Sequence, residues 1–330
     1  MIRLDSIKIE VPESAISWNT KGMPCTAQLI HGEVISEIYS VPKESLPFGV
    51  KGIQLKDKKG ERSAIVETSA KILKDQYFDM LTINTADRYL GELNKNGHVT
   101  FNTDLITSSR VLTMDVTQNL IVNDKLSHYI SAMSCVPITD KYNVTSYKGV
   151  GNTGIVWSGK QKSFKERQIF YDKLKDISRD KKLRQNVHSK DLQKFNGVLR
   201  VEGNFASFAT IRKYTGTDNV LGDILQSQNN VNVLLFDKIT KSVNTVNLEL
   251  LMKWDGHKLY QIEKIEGRSS IIRAFNYDMV KIKSFISARV KGNVSNYLRQ
   301  YRDLCFELRK ERGIGDTDIL QEIREYMLTA

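Results

Sequence analysis

Apolar and polar positions alternate with a period of two through much of the first two-thirds of the chain. Ile7-Lys-Ile-Glu-Val11 puts branched aliphatic side chains on one face and charges on the other, the pattern of a half-buried strand. Val50-Lys-Gly-Ile-Gln-Leu55 and Ser63-Ala-Ile-Val-Glu-Thr68 flank Lys56-Asp-Lys-Lys-Gly-Glu61. Gly60 in that loop can adopt positive φ, so the three segments together predict a hairpin. His98–Phe101, Arg110–Val116, Ile155–Trp157, Arg167–Asp172 and Val198–Glu202 predict further strands. Thr85 stands where it can cap a helix over 86–96, with Gly97 as its stop. Gly149, Gly151 and Gly154 mark a turn before Ile155, and residues 173–195 read as a lysine-rich helical stretch.

Beyond about residue 212 the period lengthens to that of a helix. Val294, Tyr297, Leu298, Tyr301, Leu304, Cys305 and Leu308 fall on one helical stripe. Gly313 can stop that helix, and Asp316 or Thr317 can cap another carrying Ile319, Leu320, Ile323 and Tyr326. The pattern therefore predicts an α+β protein. Residues 1–214 form a domain built on an antiparallel sheet with packed helices, and 215–330 form a mainly helical C-terminal part, with the change at Arg212–Asp218.

Charge adds a functional direction. The 330 residues carry 49 Lys+Arg against 38 Asp+Glu, a formal +11. Between Ser158 and Arg200 thirteen basic residues face five acids, which leaves +8 in that segment alone. A field of this kind attracts polyanions and gains free energy by counterion release, so nucleic acid is the expected partner. Lys160, Lys162, Lys165, Arg167, Lys181, Lys182 and Arg184 are the expected contacts. A solvated basic helix face is the plainer alternative. A second basic run, Lys281 to Arg312, lies in the helical part, where a helix could read the major groove of a duplex.

Other classes are disfavoured. No run approaches the roughly 18 apolar residues of a membrane helix, and the N-terminus lacks the basic start and apolar block of a signal peptide. Cys25, Cys135 and Cys305 are too few and too dispersed for a disulfide framework or a zinc knuckle, which fits a reducing cytoplasm. There is no GxxxxGK[ST], and Gly149-Val-Gly-Asn-Thr-Gly154 lacks the strand and helix of a dinucleotide site. The five histidines are scattered with no His-x-His pair. Any metal must rest mainly on carboxylates, whose hard oxygens suit Mg²⁺ or Mn²⁺.

Three strands offer chemistry on their polar faces. In Arg110–Thr117, Leu112, Met114 and Val116 share one side, so Asp115 points the other way with Thr113 and Thr117. In Val198–Phe205, Arg200 and Glu202 oppose Leu199 and Val201; in Gln168–Lys173, Ile169, Tyr171 and Lys173 share a side. Glu67 is a fourth contributor of the same kind. As neighbours in one sheet these residues suit phosphodiester chemistry. Two carboxylates hold a divalent ion, and a tyrosine attacks phosphorus to leave a phosphotyrosine. The phenol needs help at its free pKa of about 10, which the metal, Lys173 or a carboxylate base can give. Each group also has an ordinary structural reading, as a solvated strand carboxylate or a packed Phe-Tyr pair.

These segments occur in an order that resembles the replication endonucleases of filamentous single-stranded-DNA phages, the gene II protein family. Glu44-Ser-Leu-Pro47, Gly52-Ile-Gln-Leu-Lys56 and Ile65-Val-Glu-Thr-Ser-Ala-Lys-Ile-Leu73 are similar to its N-terminal blocks. Arg110–Thr117 occupies the place of its Arg-Ile-Asp strand, although Met114 departs from the family context before Asp115. Thr153–Trp157, Phe170-Tyr-Asp-Lys173 and Gly197-Val-Leu-Arg-Val-Glu202 follow; the last two are also similar to a plasmid replication-initiation-factor family. The likeness spans roughly residues 40–215. It implies a site-specific, metal-dependent nicking and closing enzyme that cuts one strand of a double-stranded origin and starts rolling-circle replication. Position by position it implies Tyr171 as nucleophile, Asp115 and Glu202 (with Glu67) as holders of Mg²⁺ or Mn²⁺, and Lys173 and Arg200 as supports of the phosphate. The origin duplex, the displaced strand, host helicase and host polymerase are the implied partners in a bacterial host cytoplasm, with oligomers on the DNA. The alternative is a non-enzymatic origin- or single-strand-binding protein.

Overall fold

The computed structural model describes the chain except residues 31–32, 137, 140, 150–152, 162–165, 241–257, 276, 291–293, 312–315 and 330. Gly151, Lys162, Lys165, Lys291, Arg312 and Gly313 thus lie outside the described residues. The fold is α+β. A large antiparallel sheet has ten strands in the order β3-β4-β5-β6-β1-β8-β12-β11-β10-β9, and the C-terminal part is helical. In chain order the strands are β1 (Leu4–Pro12), β2 (Ile16–Trp18), β3 (Cys25–Ile30), β4 (Glu33–Ser40), β5 (Val50–Lys58), β6 (Glu61–Ser69), β7 (Val99–Phe101), β8 (Arg110–Ile121), β9 (Tyr142–Ser146), β10 (Gly154–Gly159), β11 (Arg167–Asp172) and β12 (Val198–Phe205). β2 and β7 form a separate two-stranded ribbon.

Contacts divide the chain into two compact units, each made of several segments. The first comprises Met1–Gln118, Ile177–Asn196 and Glu202–Asn232; the second comprises Asn119–Asp176, Gly197–Val201 and Val233–Ala330. The composition change at 212–220 falls inside the first unit.

In the first unit, alternation works as the sequence predicts. β1 pairs with β6 on one side and β8 on the other, with Ile7 opposite Thr68 and Met114, and Ile9 opposite Val66 and Val111. Ile7, Ile9, Val66, Val111, Met114 and Val116 are all buried. The β5–β6 hairpin turns through Lys59 (φ 53°) and Gly60 (φ 88°), two successive left-handed residues whose twist matches the flanking strands. Asp57 holds that turn by accepting the Gly60 amide at 3.1 Å.

Helix α1 (Ala86–Leu93) buries Ala86, Tyr89 and Leu93 along one stripe, and Gly97 (φ 76°) ends the turn that follows. Thr85 does not cap it with its side chain. Its hydroxyl instead donates to the Met80 carbonyl at 2.8 Å and accepts the Thr82 amide at 2.9 Å, closing the preceding turn.

Two further expectations change. The basic stretch 173–195 is not one helix but three short ones: α4 (Lys173–Ser178), α5 (Lys181–Asn186) and α6 (Ser189–Gln193), whereas the helices α2 (Asp104–Ser108) and α3 (Leu126–Cys135) precede it. Asp180 breaks the run by taking extended geometry and capping α5 through the Leu183 amide. In β8, Leu112 is an extra residue: Lys8 faces Thr113 while Ile9 faces Val111. Val111 therefore shares the buried side with Met114 and Val116, in place of Leu112.

In the second unit the β10–β11 pair packs its apolar face on Trp157, Phe170 and Phe236, with ring centroids 4.6–6.1 Å apart. The Trp157 indole donates to the Met133 carbonyl of α3 at 3.2 Å. The helices from Leu259 to Glu311 build a core of their own around Ile272, Met279, Ile282, Tyr301, Leu304 and Cys305.

Candidate active site

Two groups of functional side chains form, one in each unit. In the second unit Tyr171 is the penultimate residue of β11 and Lys173 starts α4, so the strand-to-helix junction turns the lysine back on the phenol. Lys173 Nζ donates to Tyr171 Oη at 3.1 Å and lies 5.3 Å from the ring centroid. Both side chains are nearly closed to solvent, with Tyr171 1% exposed and Lys173 2%.

Asp176, one turn along α4, pairs with Lys173 at 3.2 Å and also takes the Lys148 ammonium and the Tyr147 hydroxyl. Burial pushes the Asp176 carboxyl up, but the charges and hydrogen bonds of Lys173 and Lys148 overcome it and hold the group below its usual range. Tyr147 completes the enclosure by stacking on Tyr171, centroids 4.3 Å apart and planes 22° apart.

Gly154 explains how β10 passes this close. It stands opposite Tyr171 in the ladder, and a Cβ there would lie 2.3 Å from Tyr171 Cβ and 2.4 Å from the Phe170 carbonyl oxygen. The glycine read from sequence as a turn marker is a strand residue that the nucleophile candidate requires.

In the same unit Arg200 is fully buried and donates from Nε to Asn119 Oδ1 at 3.0 Å. A buried guanidinium is costly unless its donors are used, so this residue is fixed rather than solvated.

In the first unit Asp115 shares a sheet face with Thr113, as the alternation predicts. Ser6 faces Asp115, and Lys8 faces both Thr113 and Glu67. Asn204 on β12 donates to Asp115 at 2.5 Å. Period two puts Glu202 on the face of β12 that carries Asn204, on the strand next to that of Asp115. Glu202 is 8% exposed.

Asp115 and Glu202 are hard oxygen donors of the kind that Mg²⁺ and Mn²⁺ take, ions often held by one or two carboxylates. No group of three or more His, Cys, Asp and Glu side chains suited to a metal occurs among the described residues. The structure does not bring Glu67 to Asp115. β1 lies between their strands, and Glu67 pairs with Lys51 at 3.5 Å.

The basic residues divide. Lys181, Lys182, Arg184 and Lys190 of α5 and α6 are exposed above buried Leu183, Val187, Leu192 and Phe195. Phe195 anchors the segment against Tyr77 and Phe78, with centroids 5.4 and 5.1 Å away. The acids of this segment are engaged: Asp180 with Lys71 at 2.6 Å, and Asp191 with Lys194 at 2.9 Å. The remaining cations face solvent, which suits phosphate contacts. Lys160 and Arg167 are also exposed.

In the helical part Lys281 pairs with Asp278 at 3.6 Å, and Arg289 lies over the Phe285 ring at 3.9 Å. Two of the basic residues read there are thus engaged locally.

Sequence reasoning missed Asp176, Tyr147 and Lys148. The only signal was Asp176 one turn after Lys173, a spacing that brings acid and lysine together on any helix. No protein-family description, curated protein or solved structure matches the chain. No described helix is long and apolar enough to cross a membrane.

Proposed function

We propose that the chain is a site-specific, metal-dependent DNA nicking-closing endonuclease that initiates rolling-circle replication, with Tyr171 as its nucleophile. The observation that carries this reading is the Lys173 ammonium 3.1 Å from the Tyr171 oxygen, both nearly buried. The ammonium gives the phenolic oxygen a charge-assisted hydrogen bond, the kind of contact that supports a tyrosine nucleophile against the desolvation that burial imposes. Attack by Tyr171 Oη forms one phosphorus–oxygen bond as the bond to the 3′-oxygen breaks. The phenol gives up a proton and the 3′-oxygen gains one, so the phosphodiester is conserved and the reverse reaction rejoins the strand. Asp115 and Glu202 are the carboxylates that would hold a divalent ion, whose chemistry when bound is to polarise a phosphate. Arg200, held by Asn119, would support the phosphate. To reach a phosphodiester, Tyr171 must lose its stack on Tyr147, so incoming DNA displaces that ring. The exposed cations of α5 and α6 supply phosphate contacts.

A second reading is a binding protein without catalysis. It is favoured by the 1% exposure of Tyr171 and by the lack of a three-residue metal cluster among the described residues. Supercoiled origin plasmid incubated with Mg²⁺ separates the two. Open circles from the wild type, absent with Tyr171→Phe while duplex binding persists, support the nickase. Equal nicking by the variant points to attack by water, and no nicking by either protein leaves the binder.

A further inference from the structure

The first unit carries a cleft of about 440 Å³ on the β5–β6 face, walled by the Val41–Leu46 loop. None of the nicking chemistry above uses it. Its floor is apolar: Ile65 is 7% exposed, and Val41 and Leu46 close over it from the loop. Pro24 and Pro42 also line the cleft.

The rim is cationic. Lys8, Lys43 and Lys51 line it together with one carboxylate, Glu67. Lys51 already serves Glu67 at 3.5 Å and Ser6 Oγ at 2.8 Å. Lys8 and Lys43 make no ion pair among the described residues; Glu67 stands opposite Lys8 in the ladder, so the lining carries three lysines against one carboxylate. Gln54 and Ser40 add an amide and a hydroxyl at the mouth.

An apolar slot whose lining carries more lysines than carboxylates takes an amphiphilic anion, not a bare one. The volume lies within the roughly 300–1,000 Å³ of small-molecule sites and exceeds what a phosphate ion alone would fill. A flat body with polar edges and a single phosphate matches this lining: apolar Ile65 and the prolines, the amide of Gln54, and the lysines.

We propose that this cleft binds a nucleoside monophosphate unit, either as a free nucleotide or as one residue of single-stranded DNA, with its phosphate held by Lys8 and Lys43. The inference goes beyond the nicking proposal and does not rest on Tyr171.

Gly52 offers a direct test. It lines the cleft, and a Cβ built on it meets nothing within 4 Å, so a large side chain there projects into open space. The full chain, labelled at Ile, Leu and Val methyls, is titrated with dTMP, with thymidine, with inorganic phosphate and with a short thymidine oligonucleotide. The expected result is dTMP-dependent shifts at Ile65, Val41 and Leu46, lost in Gly52→Phe. Lys8→Gln combined with Lys43→Gln, a surface change that leaves the core intact, weakens dTMP at least about tenfold. Matching shifts from the oligonucleotide assign the site to strand DNA, and shifts from dTMP alone assign it to the free nucleotide. No shift with either ligand overturns the inference. So does equal binding of thymidine or inorganic phosphate, or undiminished dTMP binding in the double lysine variant.

Discussion

Gly154→Ala tests the packing that holds the proposed nucleophile in place. The added Cβ would lie 2.3 Å from Tyr171 Cβ, 2.4 Å from the Phe170 carbonyl oxygen and 2.7 Å from Tyr171 Cα. Carbon atoms rest at about 3.5–4 Å, so β10 and β11 must part by roughly 1 Å. Two of these three atoms are backbone and cannot swing aside. A ladder bond near 2.9 Å stretched by that much leaves hydrogen-bonding range. Losing one or two such bonds at about 1 kcal/mol each, and overpacking by about 1–3 kcal/mol, gives a cost of about 2–5 kcal/mol.

Urea unfolding of the full chain reads this as a lower midpoint at unchanged slope. Gly91→Ala is the internal control. Gly91 sits in α1 with open space where its Cβ would be, so alanine there stabilises by about 0.5–1 kcal/mol through helix propensity. A Gly154→Ala variant within about 0.5 kcal/mol of wild type refutes the packing argument, because surface-like substitutions fall in that range.

Asp176→Asn removes a carboxylate from a buried lysine and should cost about 3–5 kcal/mol, whereas Lys173→Met with Asp176→Leu should recover most of it; denaturant melts of the two variants and the wild type check this. Because the folded state holds Asp176 below its usual range, its contribution is complete above the ordinary carboxylate range and fades as pH falls through the folded value. The stability gap between wild type and Asp176→Asn should therefore narrow on acidification, and a gap that widens contradicts the assignment. Changing Lys181, Lys182 and Arg184 together to alanine should weaken DNA binding and lower the salt slope by up to about 3, with the unfolding midpoint unmoved; filter binding across a salt series measures it. Asp115→Asn should abolish Mg²⁺-dependent nicking while leaving duplex affinity in place, read on plasmid gels and by fluorescence anisotropy.

The strands that place these residues were legible wherever one sheet face is wet and the other dry. Ile7, Ile9 and Val11 are all buried and mark β1, and Gly60 marks the turn of the β5–β6 hairpin. The face of Asp115 was legible for the same reason. The β3–β4 hairpin escaped because its outer residues, among them Leu29 and Val34, are exposed and leave no alternation to read. Leu112 was assigned the wrong side because a bulge shifts phase by one residue, and a bulge leaves no local mark in a polar-apolar string. The enclosure of Tyr171 was invisible for a different reason. Tyr147, Lys148 and Asp176 come from separate segments, and only the ladder that sets Gly154 against Tyr171 brings them into register. Long charged runs also misled: 173–195 looks like one helix until Asp180 is seen to leave the helical path and cap the next.

The most direct measurement of the central claim is covalent capture. Single-stranded DNA of randomised sequence is incubated with the full chain and Mg²⁺, denatured in detergent, and digested for mass spectrometry. The account predicts a detergent-resistant protein–DNA species whose nucleotide adduct maps to Tyr171, reduced by Lys173→Met and absent in Tyr171→Phe. An adduct on another residue, or cleaved DNA with no adduct at all, contradicts it.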